Sequence, residues 1–495
     1  MSLLVVTSAG TLPHARSSPL TGRPEVVSVR PADQFQRIWD DGGSGADHDV
    51  SIWRPDVSRY SGYRSLGDVV MKGYGAPSNT FLVRDDAGVA ARPVGYRLIW
   101  DDRGSGGDHD VSLWEPVAPA GYTCLGSVAE HGYDTPPSTD VVRCLQSSYT
   151  TDGAPGKEWD DSGSGAHHDV SFWQANPVDH LGLSPSTFVA RGGHDDNGGG
   201  QRYRVIDKTR TDVPALSGQP VTLATAGEFA PRVRLHPAEY YFPSTAEFHL
   251  GNVHQSNGYL VTNQALGCDS CTDPAFLNGM RPGSAAVSAY AEVVHRTDKG
   301  RPTEVTDVVY WMFYPYNSGK RVCVGLMSRW GCVGGYSTFG NHVGDWEHVT
   351  LRFVGNLPAK IFYSQHDGGQ EFTFGDKHVR LAGWRPEVYS AKGSHGSYPG
   401  TGVHVYRELP NGDNLSDVTG AGIAWDTAPA LVPFAWQPRG TYAGPLSWLN
   451  LTSRWGNPKS GCEISGPISG ECVLDDGPEG PMLKDYSQPP LRQLE

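Results

Sequence analysis

Polar and apolar residues in the first half of the chain alternate with the period of a half-buried strand. In "DVSIW" (49–53), Val50 and Ile52 fall on one side of an extended segment and Ser51 and Trp53 on the other. The residues before them, "IWDDGGSGADH" (38–48), read as the end of a strand followed by a tight polar loop. Asp40 and Asp41 can cap their own backbone there, and the Gly-Ser-Gly that follows suits a turn. The unit of strand, loop and strand is written three times: "IWDDGGSGADHDVSIWRP" from Ile38, "IWDDRGSGGDHDVSLWEP" from Ile99 and "EWDDSGSGAHHDVSFWQA" from Glu158. Trp39, Trp100 and Trp159 mark equivalent positions, 61 and 59 residues apart.

A hairpin of this size cannot bury a core alone, but three can close around a common axis. The pattern therefore predicts a pseudo-threefold β domain over residues 26–195. A β-prism is the favoured architecture, because a β-trefoil is built from shorter repeats. Copies one and two continue as "GYRSLGDV" (62–69) and "GYTCLGSV" (121–128). Copy three runs on as "HLGLSPSTFVARGG" (180–193), as expected of a terminal repeat. "GGHDDNGGGQ" (192–201) is the best linker candidate. Beyond it the repeat stops. Short glycine-bounded strands continue with no long amphipathic helix evident, predicting a larger β-sandwich-like domain over 205–490. The fold class is thus mainly β.

Composition narrows the function. The 495 residues include 62 Gly, 37 Pro, 14 Trp and 22 Tyr, a turn-rich and aromatic-rich content that suits short strands. The formal charge is −14 with no basic patch, which argues against nucleic acid as a partner. "VVYWMFY" from Val308 is among the longest apolar runs and is too short to span a bilayer, so no transmembrane segment is expected. The opening "MSLLVVTSAGTLPHARSS" has a short apolar stretch and no basic segment before it, a poor signal peptide. The eight cysteines fall as near neighbours: Cys124 with Cys144, Cys268 with Cys271, Cys323 with Cys332 and Cys462 with Cys472. Local disulfides and an oxidising compartment follow. "CDSC" (268–271) also has the spacing of a redox or zinc motif, but no second CxxC accompanies it. The sequons at Asn414 and Asn450 fit secretion.

Two sets of residues carry candidate chemistry. Each repeat holds a His-Asp pair: His48–Asp49, His109–Asp110 and His168–Asp169. These read either as three equivalent ligand or calcium sites or as loop architecture. In the second half, "GDWEHVTLRF" (344–353) alternates so that Asp345, Glu347, Val349, Leu351 and Phe353 share one strand face. Two carboxylates on an otherwise apolar face need partners. His342, His366 and His395 stand in neighbouring motifs. Asp345, Glu347, His366 and His395 are accordingly expected to converge, as a general base with its orienting group, as a divalent-metal site of unspecified metal, or as an internal polar network. Asp345 and Glu347 point the same way, so a glycosidase would need its second carboxylate elsewhere, at Asp367 or Asp417 for example. Ser394 and Ser397 in "GSHGSYPG" are nucleophile candidates outside any GxSxG elbow.

"HVGDWEHVTLRF", "FYSQHDGG", "PEVYSAKGSHGSYPGTG" and "RWGNP", in that order, resemble the vacuolar protein sorting-associated protein 62 family, as do the "WDDxGSGxxxDVSxW" units. The resemblance implies an extracytoplasmic or endomembrane protein, secreted or in the vacuolar or endomembrane lumen, and supplies no reaction. Two functions remain open. One is a hydrolase acting on a glycan or cell-surface substrate, with the repeats as its binding module. The other is a non-enzymatic lectin-like, sorting or membrane-binding protein. Oligomeric state is not legible.

Overall fold

The protein is described by a computed structural model for residues 26–86, 88–195, 203–215, 222–268, 272–284, 286–366, 368–462 and 472–484. It is mainly β, as the alternation predicts. The α-helix Ala246–Leu250 has a single turn or so, and no helix among the described residues is long and apolar enough to cross a membrane.

Each repeat forms an antiparallel three-stranded sheet. The first pairs Phe35–Asp40, Val50–Pro55 and Val69–Lys72. The second pairs Gly95–Asp101, Val111–Val117 and Val128–His131. The third pairs Thr150–Asp160, Val170–Pro177 and Phe188–Gly192. Copy three departs from the others in sequence but keeps their strands. Hydrogen bonds pass from each copy to another and return to the start. The indole Nε1 of Trp39 donates to the His109 carbonyl (2.9 Å), Trp100 to His168 (2.6 Å) and Trp159 to His48 (2.6 Å). A second cycle runs through backbone amides: Asp68 to the Ser127 carbonyl, Ser127 to Phe188 and Phe188 to Asp68, at 2.7–3.0 Å. Such reciprocity requires three copies in equivalent surroundings. Gly67 and Gly126 sit where the copies meet, and a Cβ on Gly67 would stand 2.9 Å from the Gly126 Cα. Val50, Ile52, Val111, Leu113, Val170 and Phe172 fill the core between the sheets together with the three indoles.

The C-terminal region is built on a six-stranded sheet. Its order is Gly368–Thr373, Leu357–Gln365, His342–Val354, Arg301–Asn317, Ala289–Asp298 and Leu431–Ala435. Alternation in the long strand Arg301–Asn317 feeds two cores. Val308, Tyr310, Met312 and Tyr314 face one, while Val309, Trp311 and Phe313 face the other beside Trp346, Trp448 and Trp455. A smaller sheet around Arg232–Arg234, Arg385–Ser390 and Ala424–Asp426 covers the first core with Val233, Val388 and Trp425.

That same core takes in Val29, Leu66, Phe81, Leu145 and Leu183 from the repeats, so apolar packing is continuous across the two regions. Phe81 stacks on Trp384 at 5.7 Å. Lys208 is buried and donates to the carbonyls of His180 (2.9 Å) and Pro358 (2.7 Å), one in each region. Burial lowers its pKa to about 7.

Disulfides Cys124–Cys144, Cys323–Cys332 and Cys462–Cys472 pair as expected. The pairing of Cys268 with Cys271 falls outside the described residues, because Cys271 is not among them. The linker candidate falls partly within the described residues. Gly192 ends a strand and His194 bonds Asp161, while 196–202 are outside the description.

Candidate functional site

The strand His342–Val354 places the two acids by register. Asp345 sits opposite Tyr314 and Glu347 opposite Met312. Farther along the same face, Val349, Leu351 and Phe353 are fully buried in the core. Where the strand leaves that core, carboxylates replace aliphatic side chains and border a cavity of about 740 Å³. Lys320, His342, His366, Ser394 and Lys484 also border it.

Two buried networks stand behind the wall. In the first, the Asp345 carboxylate lies 2.9 Å from His395 Nδ1, and His395 Nε2 donates to the Tyr241 carbonyl at 3.0 Å. With Nε2 carrying that hydrogen, a further proton must be shared between Nδ1 and Asp345. The imidazole lies flat on Tyr314, with centroids 3.8 Å apart and planes 6° apart. Both His395 nitrogens are engaged inside the protein, and its side chain fixes Asp345 rather than facing the cavity.

Asp417 is the centre of the second. It is fully buried and accepts from Tyr398 OH (2.8 Å), Lys320 Nζ (2.7 Å), His366 Nε2 (2.9 Å) and the Ser394 hydroxyl. Burial pushes its carboxyl up, but the His366 hydrogen bond and the Lys320 charge outweigh that and hold it well below the usual range. Ser394 donates to this carboxylate and accepts from Lys320 at 3.0 Å. Its proton is thus held by an anion and not by a base, which does not suit a nucleophile.

Glu347 differs from both. It is half-buried in the cavity wall, and no hydrogen bond from the described residues reaches its carboxyl. Burial, and then the neighbouring Asp345 charge, push its pKa well above the usual range. His342 donates Nδ1–H to the Gly344 carbonyl at 2.6 Å, and burial lowers its pKa despite the Asp345 charge. Burial therefore favours the neutral form of both groups in the cavity wall, the Glu347 carboxyl and an imidazole whose Nε2 is then an acceptor.

The structure thus brings Asp345, Glu347 and His366 to one cavity, with His395 directly behind Asp345. His366 and His395 both adopt left-handed backbone, φ +47° and +61°. That conformation is uncommon outside glycine and is often held at functional sites by surrounding contacts. Sequence reasoning missed Lys320, Tyr398, Tyr241 and Lys484. None belongs to a repeated or paired motif, and only folding brings them here. Asp367 lies outside the described residues.

In the repeats, His48, His109 and His168 are exposed side chains whose backbone carbonyls receive the three indoles. The paired Asp49, Asp110 and Asp169 are exposed too. Asp110 accepts from Tyr133 OH at 2.6 Å, and Tyr74 stands beside Asp49 and Asp41 in copy one. Copy three has His194 at the tyrosine position, with Nε2 2.9 Å from Asp161 and 3.8 Å from Asp169. Among the described residues, this is the one group of three His, Cys, Asp or Glu residues whose possible metal-ligand atoms all lie within 4.8 Å of one another.

A mainly β, disulfide-bonded protein with a threefold repeat region packed against a sheet that carries a polar cavity is the class these features define. The chain belongs to the vacuolar protein sorting-associated protein 62 family, whose model matches residues 18–265 and 290–459. It is 28% identical over 284 residues to Vacuolar protein sorting-associated protein 62 of Saccharomyces cerevisiae, covering 52% of this chain and 56% of that one. A second protein of that yeast, described as "Putative vacuolar protein sorting-associated protein TDA6", is 28% identical over 243 residues, covering 43% and 48%. The chain thus spans about half the length of the curated relatives it matches. Among solved structures, GNIP1Aa from Chromobacterium piscinae aligns with 27% identity over 38% of each chain, at a TM-score of 0.34. NLPPya in complex with mannosamine aligns with 17% identity over 45% of this chain and 80% of that one, at a TM-score of 0.24.

Proposed function

We propose that the C-terminal cavity binds a hydroxyl-rich, glycan-type ligand and that the protein is a recognition protein of the cell surface or endomembrane lumen. The observation that carries this is the place of Glu347, a carboxyl in the cavity wall that no hydrogen bond from the described residues reaches and whose neutral form is favoured by burial and the Asp345 charge. A protonated carboxyl can donate to one hydroxyl and accept from another, and the neutral His342 ring adds an acceptor. Asp345 is engaged with His395, and Lys320 and His366 with Asp417, while Lys484 donates to the Trp346 carbonyl, so a neutral polar ligand meets open hydrogen-bonding capacity beside largely paired charges. The three disulfides support an oxidising compartment. In the same reading the repeats form a β-prism-like module, supported by their cyclic contacts, and the exposed His48–Asp49, His109–Asp110 and His168–Asp169 pairs are a second contact surface.

Calorimetric titration of the full chain with oligosaccharides chosen from a glycan array tests the reading. Glu347→Met is expected to weaken binding about tenfold, one charge-free hydrogen bond being worth roughly 1–1.5 kcal/mol, with no loss of melting temperature. Unaltered binding in that variant would overturn it. A second reading, hydrolysis, is favoured by one feature: Glu347, with its neutral form favoured, and His366, held by Asp417, border the same cavity as candidate acid and base. Release of new reducing ends from the bound glycan, lost in His366→Ala, would distinguish it from binding alone.

A further inference from the structure

The edge of the cavity continues into a hairpin that the glycan reading does not use. Strand Lys320–Cys323 leads from the cavity into the short hairpin Leu326–Ser328 and Gly331–Val333, and the chain returns through Tyr336–Phe339. The disulfide Cys323–Cys332 ties the hairpin to its base. Asn411 donates to the carbonyls of Cys323 and Gly325, and Asp413 accepts from Cys323 N, so a second loop braces it. Arg329 and Trp330 form its turn. Ser328 Oγ caps that turn, accepting from Trp330 N at 3.2 Å and donating to the Gly331 carbonyl at 2.8 Å.

This firmly mounted tip is apolar and faces outward. Trp330 is 85% exposed, Leu326 73% and Val333 64%, with Met327 and Tyr336 also exposed. Isolated exposed aliphatics are ordinary, but several on one rigid projection, with an indole at the apex, are not. Its charge is as uneven as its polarity. No Asp or Glu occurs between Asp307 and Asp345, in a chain that carries −14. Exposed Arg329 and Arg321 lie over the rings of Trp330 and Tyr336, at 4.9 and 4.2 Å.

We infer that the hairpin 323–336 docks on the surface of an anionic phospholipid membrane. An indole favours the boundary between headgroups and acyl chains, and an arginine stacked on an aromatic ring can reach the phosphates while the ring stays at that boundary. A protruding tip, unlike a flat patch or groove, penetrates that layer without burying the rest of the protein. The hairpin itself carries no acid, Asp413 lying at its base and away from the tip, so a net-negative protein can present this tip to a negative surface, and each arginine adds electrostatic attraction. The bracing disulfide means that little ordering cost falls on binding.

Co-sedimentation of the full chain with large unilamellar vesicles tests this, comparing phosphatidylcholine containing about 30% phosphatidylserine with phosphatidylcholine alone. Binding to the anionic vesicles is expected, weakened by added salt through screening. Trp330→Ser with Leu326→Ser should weaken it by at least about tenfold, and Arg329→Glu with Arg321→Glu should remove the preference for phosphatidylserine. An unchanged near-UV spectrum would show that the fold survives. Glu347→Met should leave vesicle binding intact, which separates this inference from the cavity reading. No sedimentation of the unaltered chain, or sedimentation that persists in both double variants, would overturn it. So would capture by a protein or a glycan that needs Trp330 when vesicle binding is absent.

Discussion

In the repeat region almost every residue of the recurring motif is used to build the region. Asp41, Asp102 and Asp161 each accept the amide of the strand nine residues on, from Val50, Val111 and Val170. Ser51, Ser112 and Ser171 each take the indole of Trp53, Trp114 or Trp173. The three interior indoles close the cycle. The C-terminal region uses polar residues differently. Asp345, Asp417, His366, His395 and Lys320 occur once each, come from distant segments, and end around one cavity. Threefold repetition thus records what closure of a symmetric core requires. A cavity placed away from that symmetry draws on residues that nothing else in the chain resembles. The three copies of the opening motif are scaffold first, and any ligand they hold would use the few side chains left over at the rim.

The contrast can be broken most forcefully at the axis. Trp100→Ala removes a buried ring packed at 6.4 Å on Trp39 and leaves the His168 carbonyl without its donor. A loss of about 3–5 kcal/mol is expected, read as a lower denaturant midpoint. The same change at Trp39 or Trp159 should cost a similar amount. A silent variant at any of the three would show that the cycle is not shared equally.

Asp417→Asn tests whether the second network also supports the fold. It leaves Lys320 facing a neutral amide, and about 3 kcal/mol should be lost near neutral pH. The pH profile gives the sign. The Asp417 carboxyl is held below its ordinary value of 3.8, so its contribution is present above that pH and disappears as pH falls toward the depressed value. Glu347 is the reverse. Its carboxyl is raised above an ordinary 4.5, so its contribution is complete below that pH and is lost as pH rises through the raised value. Asp417→Asn should flatten the acid limb of the stability profile and leave the limb above pH 4.5 in place; the opposite result would reassign the two carboxyls.

The smallest expected effect is the most specific to symmetry. His194→Tyr gives copy three the residue that copies one and two carry at Tyr74 and Tyr133. Stability should change by less than about 1 kcal/mol, because a tyrosine already stands beside the matching aspartates in the other two copies. A large loss would mean that the third rim has a structural need for imidazole that the other two lack.

Alternation, turn chemistry and a sixty-residue period were enough to give a mainly β chain, three related hairpins, the three disulfides that the structure describes, and the strand face shared by Asp345 and Glu347. These are local properties: the period of two, the capping by Asp and the reach of neighbouring cysteines depend on residues close in sequence. The register of a strand decides which side chains share a face, but not what they face. Only the tertiary structure decided that His395 would be sealed behind Asp345 while Glu347 stayed open to the cavity, that Lys320 and Tyr398 would meet Asp417, and that Trp330 would stand in solvent while Trp311, nineteen residues earlier, is wholly buried. The reason is that a side chain's surroundings are set by segments far along the chain, through packing and desolvation, and neither leaves a periodic trace in the sequence.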